Sequence, residues 1–128
     1  MARPYFGRVN DFRRLVVWQR AHEAAIATYR ATGSFPAGER FGLVSQMRRA
    51  AASVGANIAE SCGRGTAKDE ARFLHFAAGS AKELEYQALL ARDLGFLAPE
   101  GYERLNILVV ETQRMLTALL RRVPRSRG

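Results

Sequence analysis

Glycine and proline cut this chain into four apolar-periodic lengths, and that punctuation constrains the fold more than any other feature. Gly33 with Ser34-Phe35-Pro36 makes the first break, Gly63-Arg64-Gly65 the second, and Gly95 with Pro99 the third. Between them the spacing predicts helices over about residues 12–32, 39–62, 67–94 and 99–122. No segment has the strict alternation or β-branched enrichment of a strand.

Start and stop signals agree with these limits. Asp11 stands where the first helix needs a cap, Thr66-Ala67-Lys68-Asp69 resembles a capping box with Asp in place of Glu, and Pro99 suits a first-turn position. The expected core stripes are Leu15, Trp18, His22, Ala25 and Tyr29 on the first helix and Leu43, Met47, Ala50, Val54 and Ile58 on the second. The third offers Phe73, Phe76, Ala77, Ser80, Leu84, Gln87 and Leu94, and the fourth Leu105, Leu108, Val109, Thr112, Leu116 and Leu119. Connections this short force successive helices to lie antiparallel. The expected fold is therefore all-α, one domain over residues 1–128, an antiparallel up-down-up-down four-helix bundle.

The balance of 48% apolar to 25% charged residues suits a chain that buries a core. No run of about 18 apolar residues is present to span a bilayer, and the first residues lack the apolar stretch of a secretion signal. Cytoplasmic location, with no membrane partner, is the expectation.

The net charge of +8 is unevenly placed. Residues 1–20 carry five Arg and one Asp, and residues 121–128 carry four Arg and no acid, which gives +4 at each end. The stretch between, residues 21–120, is neutral, with 11 basic and 11 acidic side chains. In an up-down bundle the start of the first helix, the turn between the second and third, and the end of the fourth share one end. That topology gathers Arg13 and Arg14, then Arg64, Lys68 and Arg72, then Arg121 and Arg122, together with Arg3, Arg8, Arg125 and Arg127 of the basic terminal segments 1–11 and 123–128. Asp11, Glu60, Asp69 and Glu70 are too few to cancel them. A polyanion, RNA or DNA, is the partner such an end would hold, and arginine grips phosphate with two hydrogen bonds or stacks on a base.

Excess apolar residues point to a second kind of contact. Leu15-Val16-Val17-Trp18, Leu89-Leu90-Ala91 and Ile107-Leu108-Val109-Val110 wrap too far around their helices for one buried stripe, so self-association is expected. Ala50-Ala51-Ala52-Ser53 and Ala77-Ala78-Gly79-Ser80-Ala81 permit close helix approach, within a subunit or between subunits.

Catalytic and metal chemistry lack their residues. Bundle di-iron sites need Glu-x-x-His pairs, but Gln19 and Arg72 stand three residues before His22 and His75. Cys62, the lone cysteine, makes neither an internal disulfide nor a multi-cysteine metal site, and reads as a small apolar residue near a helix end. Glu83 and Glu85 point to different sides of a helix, and Glu83 is expected to meet Arg48 or Arg49 in an ion pair. Asn57, Glu60 and Arg64 share a face and are expected to form a polar network. No enzyme activity and no cofactor are expected.

Trp18-Gln19-x-Ala21, Phe35-Pro36-x-x-Glu39-x-Phe41-Gly42-Leu43-x-x-Gln46-x-Arg48-Arg49-Ala50-Ala51, Asn57-Ile58-Ala59-Glu60 with Gly63-Arg64, Phe73-Leu74, and Gly79-Ser80-x-x-Glu83-Leu84-Glu85 follow in order over about residues 11–97. In this the chain resembles the four-helix bundle proteins related to the 23S rRNA intervening-sequence protein. The resemblance implies a bacterial, cytoplasmic protein assembled as a ring-like homopentamer, of unsettled function. A related branch includes the accessory variability protein of diversity-generating retroelements, which binds nucleic acid and a reverse transcriptase; membership in that branch does not follow. Ser61 departs from the family, which commonly has Gly there. The leading expectation is a homo-oligomeric, non-catalytic nucleic-acid-binding or adaptor protein. The alternative is a homo-oligomeric scaffold for a protein partner.

Overall fold

The computed structural model describes residues 11–123. Four helices make up almost all of it: α1 (Val16–Thr32), α2 (Leu43–Cys62), α3 (Ala67–Asp93) and α4 (Pro99–Arg122). No strand occurs among the described residues.

Two starts differ from the sequence reading. Asp11 is a cap, its carboxylate accepting from the Arg13 amide at 3.0 Å, but what it caps is a single 3-10 turn, Phe12–Arg14. Leu15 is then extended (φ −78°, ψ 127°), so α1 begins at Val16 and not at residue 12. The break turns Phe12 back onto Trp18, ring centroids 5.0 Å apart. Likewise α2 begins at Leu43, four residues later than expected, because Ala37–Glu39 forms a separate 3-10 turn and Gly42 leaves helical geometry (φ −106°, ψ −110°). Glu39 reaches forward from that turn and accepts from the Leu43 amide at 3.3 Å.

The other limits follow their signals. The Thr66 hydroxyl accepts from the Asp69 amide at 3.2 Å, one half of a capping box. Gly95 takes the left-handed conformation (φ 79°) that closes α3, and the Phe96 amide donates back to the Ala91 carbonyl at 2.9 Å. Pro99 occupies the first turn of α4.

The core divides into two clusters along the bundle. One joins the second half of α1 (Ala24, with Ala27 and Ala31 partly buried against it), the start of α2 (Leu43, Met47), the end of α3 (Leu84, Ala91) and the start of α4 (Leu105). The other joins the start of α1 (Val17), the end of α2 (Ile58), the start of α3 (Ala67, Leu74) and the end of α4 (Leu116), closed by Val123. Each helix thus reverses the direction of the one before. Around the bundle the neighbours are α1 with α2, α2 with α3, α3 with α4 and α4 with α1. Met47, Ile58, Leu74, Leu84, Leu105 and Leu116 are at most 1% exposed, and each buried side chain of this size contributes about 2 kcal/mol of hydrophobic stabilisation.

The stripes expected on α2 and α4 are the ones buried, Leu108 and Leu119 lying partly so. On α1 the expected stripe is out of phase with the core; on α3 Ala77, Leu84 and Gln87 are buried as expected, while Phe76 and Leu94 are not. The core face of α1 is Val17, Ala21, Ala24, Thr28 and Thr32, leaving His22 and Tyr29 exposed. That of α3 runs through Ala67, Leu74, Ala77, Ala81, Leu84, Ala88 and Ala91, with Phe76 and Leu94 outside. Alanine and threonine line these faces because large side chains of α2 and α4 fill the space opposite, as close packing requires. The buried hydroxyls of Thr28 and Thr32 donate to the carbonyls four residues back.

Arg49 makes no ion pair with Glu83 among the described residues, and neither does Arg48. Arg48 Nε donates to Thr32 Oγ1 at 2.9 Å and its terminal nitrogen to the Tyr29 carbonyl at 3.2 Å, with the guanidinium 4.7 Å from the Tyr29 ring centre. The last turn of α1 offers carbonyls that lack a helical donor, at the negative end of the helix dipole, and these take the Arg48 donors in place of the Glu83 carboxylate. Glu83 instead accepts from Gln87 at 3.3 Å and lies exposed. No helix is long and apolar enough to cross a membrane among the described residues.

Candidate nucleic-acid interface

The second core cluster fixes which charges meet. Leu15, Val16 and Val17 at the start of α1 share a cleft with Met115, Leu119 and Arg122 at the end of α4. Ile58 and Ala67, flanking the α2–α3 turn, sit in the same cluster. Arg13, Arg14, Arg64, Lys68, Arg72, Arg121 and Arg122 therefore belong to one end of the bundle. Arg3, Arg8, Arg125 and Arg127 lie outside the described residues.

The seven do not carry equal free charge. Arg13 is chelated by Asp11 (2.9 and 3.1 Å), an exposed pair in which the guanidinium holds the carboxyl below its ordinary range. Arg64 meets Glu60 at 2.5 Å and Arg72 meets Asp69 at 3.4 Å. Arg14, Lys68, Arg121 and Arg122 are exposed and make no ion pair among the described residues. These four supply the uncompensated charge.

The polar network expected around Asn57 divides in two. Glu60 and Arg64 pair, but Asn57 turns back to donate to the Ser53 carbonyl (2.8 Å) and hydroxyl (3.0 Å), and Ser80 of α3 joins Ser53 at 3.0 Å. The short Asn side chain finds acceptors on its own preceding turn before it can reach Glu60. Ser61 is wholly buried, its hydroxyl donating to the Ile58 carbonyl at 2.6 Å, so the helix contact tolerates serine there.

Sequence reasoning missed an arrangement on the α2–α3 side. The Arg64 and Arg72 guanidiniums lie 4.3 and 4.8 Å from the Phe73 ring centre. Phe76 stands edge-on to Phe73 (5.6 Å, 88°) and is 49% exposed. Both phenylalanines were counted as core; the signal available was that Arg64, Arg72 and the two rings fall within one turn and its adjoining helix start. Glu70, counted among the acids near this end, is fully buried beneath it and keeps step with Ala67, Leu74 and Ala77.

Cys62 is half-buried. Desolvation raises its thiol above the ordinary range and the nearby Glu70 charge adds to this, against a lowering by Ser61. A raised thiol pKa means less thiolate at neutral pH. Iodoacetamide should accordingly modify Cys62 more slowly in the native protein at pH 7 than in the protein unfolded in urea. Faster native labelling would make it a reactive thiol.

A second surface feature lies between α1 and α2, a groove of about 560 Å3. Phe12, Trp18, His22 and Tyr29 wall it, Trp18 and His22 stacked at 4.7 Å, while Ala52, Gly55, Ala56 and Ala59 of α2 form its floor. The residues expected as the α1 core stripe are thus mostly the wall of this groove. No group of three or more metal-ligating side chains occurs among the described residues.

Comparison with known proteins supplies the context. No curated protein matches the chain. A solved structure of a protein of unknown function from the S23 ribosomal protein family of Bacteroides thetaiotaomicron superposes with a TM-score of 0.75 at 26% identity, over 82% of this chain and 98% of the other. The family model described as 23S rRNA-intervening sequence protein matches residues 13–118, which takes in α1, α2 and α3 whole and α4 as far as residue 118. With that match across the bundle, the chain belongs to the 23S rRNA-intervening sequence protein family.

Proposed function

We propose that this chain is a non-catalytic, homo-oligomeric nucleic-acid-binding protein of the cytoplasm whose contact surface is the arginine-rich end. The observation that carries the reading is the convergence of Arg14, Lys68, Arg121 and Arg122 on one end with no carboxylate partner among the described residues. A patch of that kind binds phosphate without reading sequence, because it recognises the backbone charge. Paired Arg13, Arg64 and Arg72 add less attraction per residue. The α1–α2 groove supports self-association: its aromatic walls and small-residue floor have the shape of a seat for a helix of another copy. Five copies is the number that the family resemblance implies, and a closed ring would repeat the basic end around one face.

Fluorescence anisotropy with labelled RNA and DNA oligonucleotides tests the reading. Binding is expected at low ionic strength, with weak sequence preference and a steep, linear loss of log affinity with log salt. Absence of salt-sensitive binding to either nucleic acid overturns it. The groove then favours the other reading, a scaffold that seats a protein partner.

A further inference from the structure

We propose that the arginine-rich end takes its nucleic acid as a single strand, with an unpaired base stacked on Phe76 at the α2–α3 corner. The inference rests on the reading that this end binds nucleic acid, and it specifies the form bound. At this corner the charges are largely compensated: Glu60 holds Arg64 and Asp69 holds Arg72. Two carboxylates beside the rings make the corner a poor seat for another phosphate but leave it open to a neutral, flat group.

The flat surface is already built. Arg64 and Arg72 pack on Phe73 and fix it, and Phe73 in turn braces Phe76 edge-on, with Arg72 5.9 Å from the Phe76 ring centre. Phe76 is 49% exposed although Arg72 lies over its ring, so part of the aromatic surface remains open to solvent. A duplex hides its base faces within the stack and cannot use such a surface; a single strand offers them freely. Lys68 stands two turns before Phe76 on the same face of α3, with Arg72 between them at four-residue steps, and Arg121 and Arg122 stand on the α1–α4 side of the same end. This arrangement suits a flexible strand crossing the end of the bundle with its phosphates on Lys68, Arg121 and Arg122 and a base turned down onto Phe76.

The test compares a labelled single-stranded oligonucleotide with the blunt duplex of the same sequence, using the full chain and its Phe76→Ala and Phe76→Trp variants. The wild type should prefer the single strand. Phe76→Ala should weaken single-strand binding about 10-fold, leaving duplex binding and the salt dependence unchanged. Phe76→Trp should keep the affinity, and its added indole emission should be quenched as the strand binds. Salt-sensitive binding by the wild type with no loss in Phe76→Ala overturns the stacking proposal while leaving the electrostatic reading intact; no binding by the wild type overturns both. A fall in oligomer mass in Phe76→Ala, with single-strand affinity retained, would assign the ring to a subunit contact instead and also overturn the proposal.

Discussion

Replacing Ala52 and Ala56 together with glutamate should give a folded monomer of 14.2 kDa, whereas the wild type should scatter light as several times that mass. Both alanines are exposed on α2 and line the floor of the groove, so no packing inside the subunit is lost. Glutamate ranks among the better helix formers, and α2 should keep its helicity in circular dichroism. Between subunits the consequence is severe. Two carboxylates would fill the space a neighbour's helix needs, and with Arg30 as the one fully charged side chain in the lining at least one of them would lose its water without an ion-pair partner, at a cost of several kcal/mol per contact. Repeated at every interface of a ring, that cost dissociates the assembly at micromolar concentration. An unchanged multimeric mass in this variant would move the interface away from the groove, and a monomeric wild type would remove the self-association reading altogether.

Why that groove was not legible in the sequence follows from how α1 packs. Reading apolar periodicity selects the bulkiest face of a helix, which on α1 is Trp18, His22, Ala25 and Tyr29. The core instead received Ala21, Ala24, Thr28 and Thr32, because α1 lies close against neighbours that bring their own large side chains, and threonine hydroxyls hide by bonding the preceding turn. On α3 the same preference for bulk misplaced Phe76, which lies outside, while Ala77 and Leu84 are inside as expected. On α2 and α4, which carry the large core residues, periodicity and burial coincide. Helix number, order and approximate ends were legible from Gly33, Gly63, Gly95 and Pro99, since backbone constraints of this kind act locally. The short 3-10 turns were not, since Leu15 and Gly42 leave helical geometry at positions where apolar spacing continues across the break.

The candidate site was legible to the same partial degree. Antiparallel packing alone brought Arg13, Arg14, Arg64, Lys68, Arg72, Arg121 and Arg122 to one end, with no knowledge of side-chain contacts. Which of them remain unpaired was not, because ion pairing depends on rotamers: Arg13 folds back on Asp11, while Arg14, beside it in sequence, does not.

That division makes the effect of Arg121→Ala with Arg122→Ala large and specific. Both lie exposed in the last turn of α4, where their removal breaks no ion pair among the described residues, so helicity and oligomer mass should hold. Each lost phosphate contact on a single strand removes roughly 0.7 from the slope of log affinity against log salt, and two remove about 1.4. At moderate ionic strength this is a loss on the order of 10-fold per subunit, enlarged where several subunits bind one strand. Arg13→Ala should do less, because its charge is already spent on Asp11. The control is Arg104→Ala, an exposed arginine near the opposite end of α4. Arg114 is unsuitable for that purpose, since it lines a shallow cleft together with Arg121, Lys82 and Glu85. A double variant that binds with wild-type affinity and slope, or an Arg104→Ala variant that loses as much, would show that the phosphate contacts lie away from this end of the bundle.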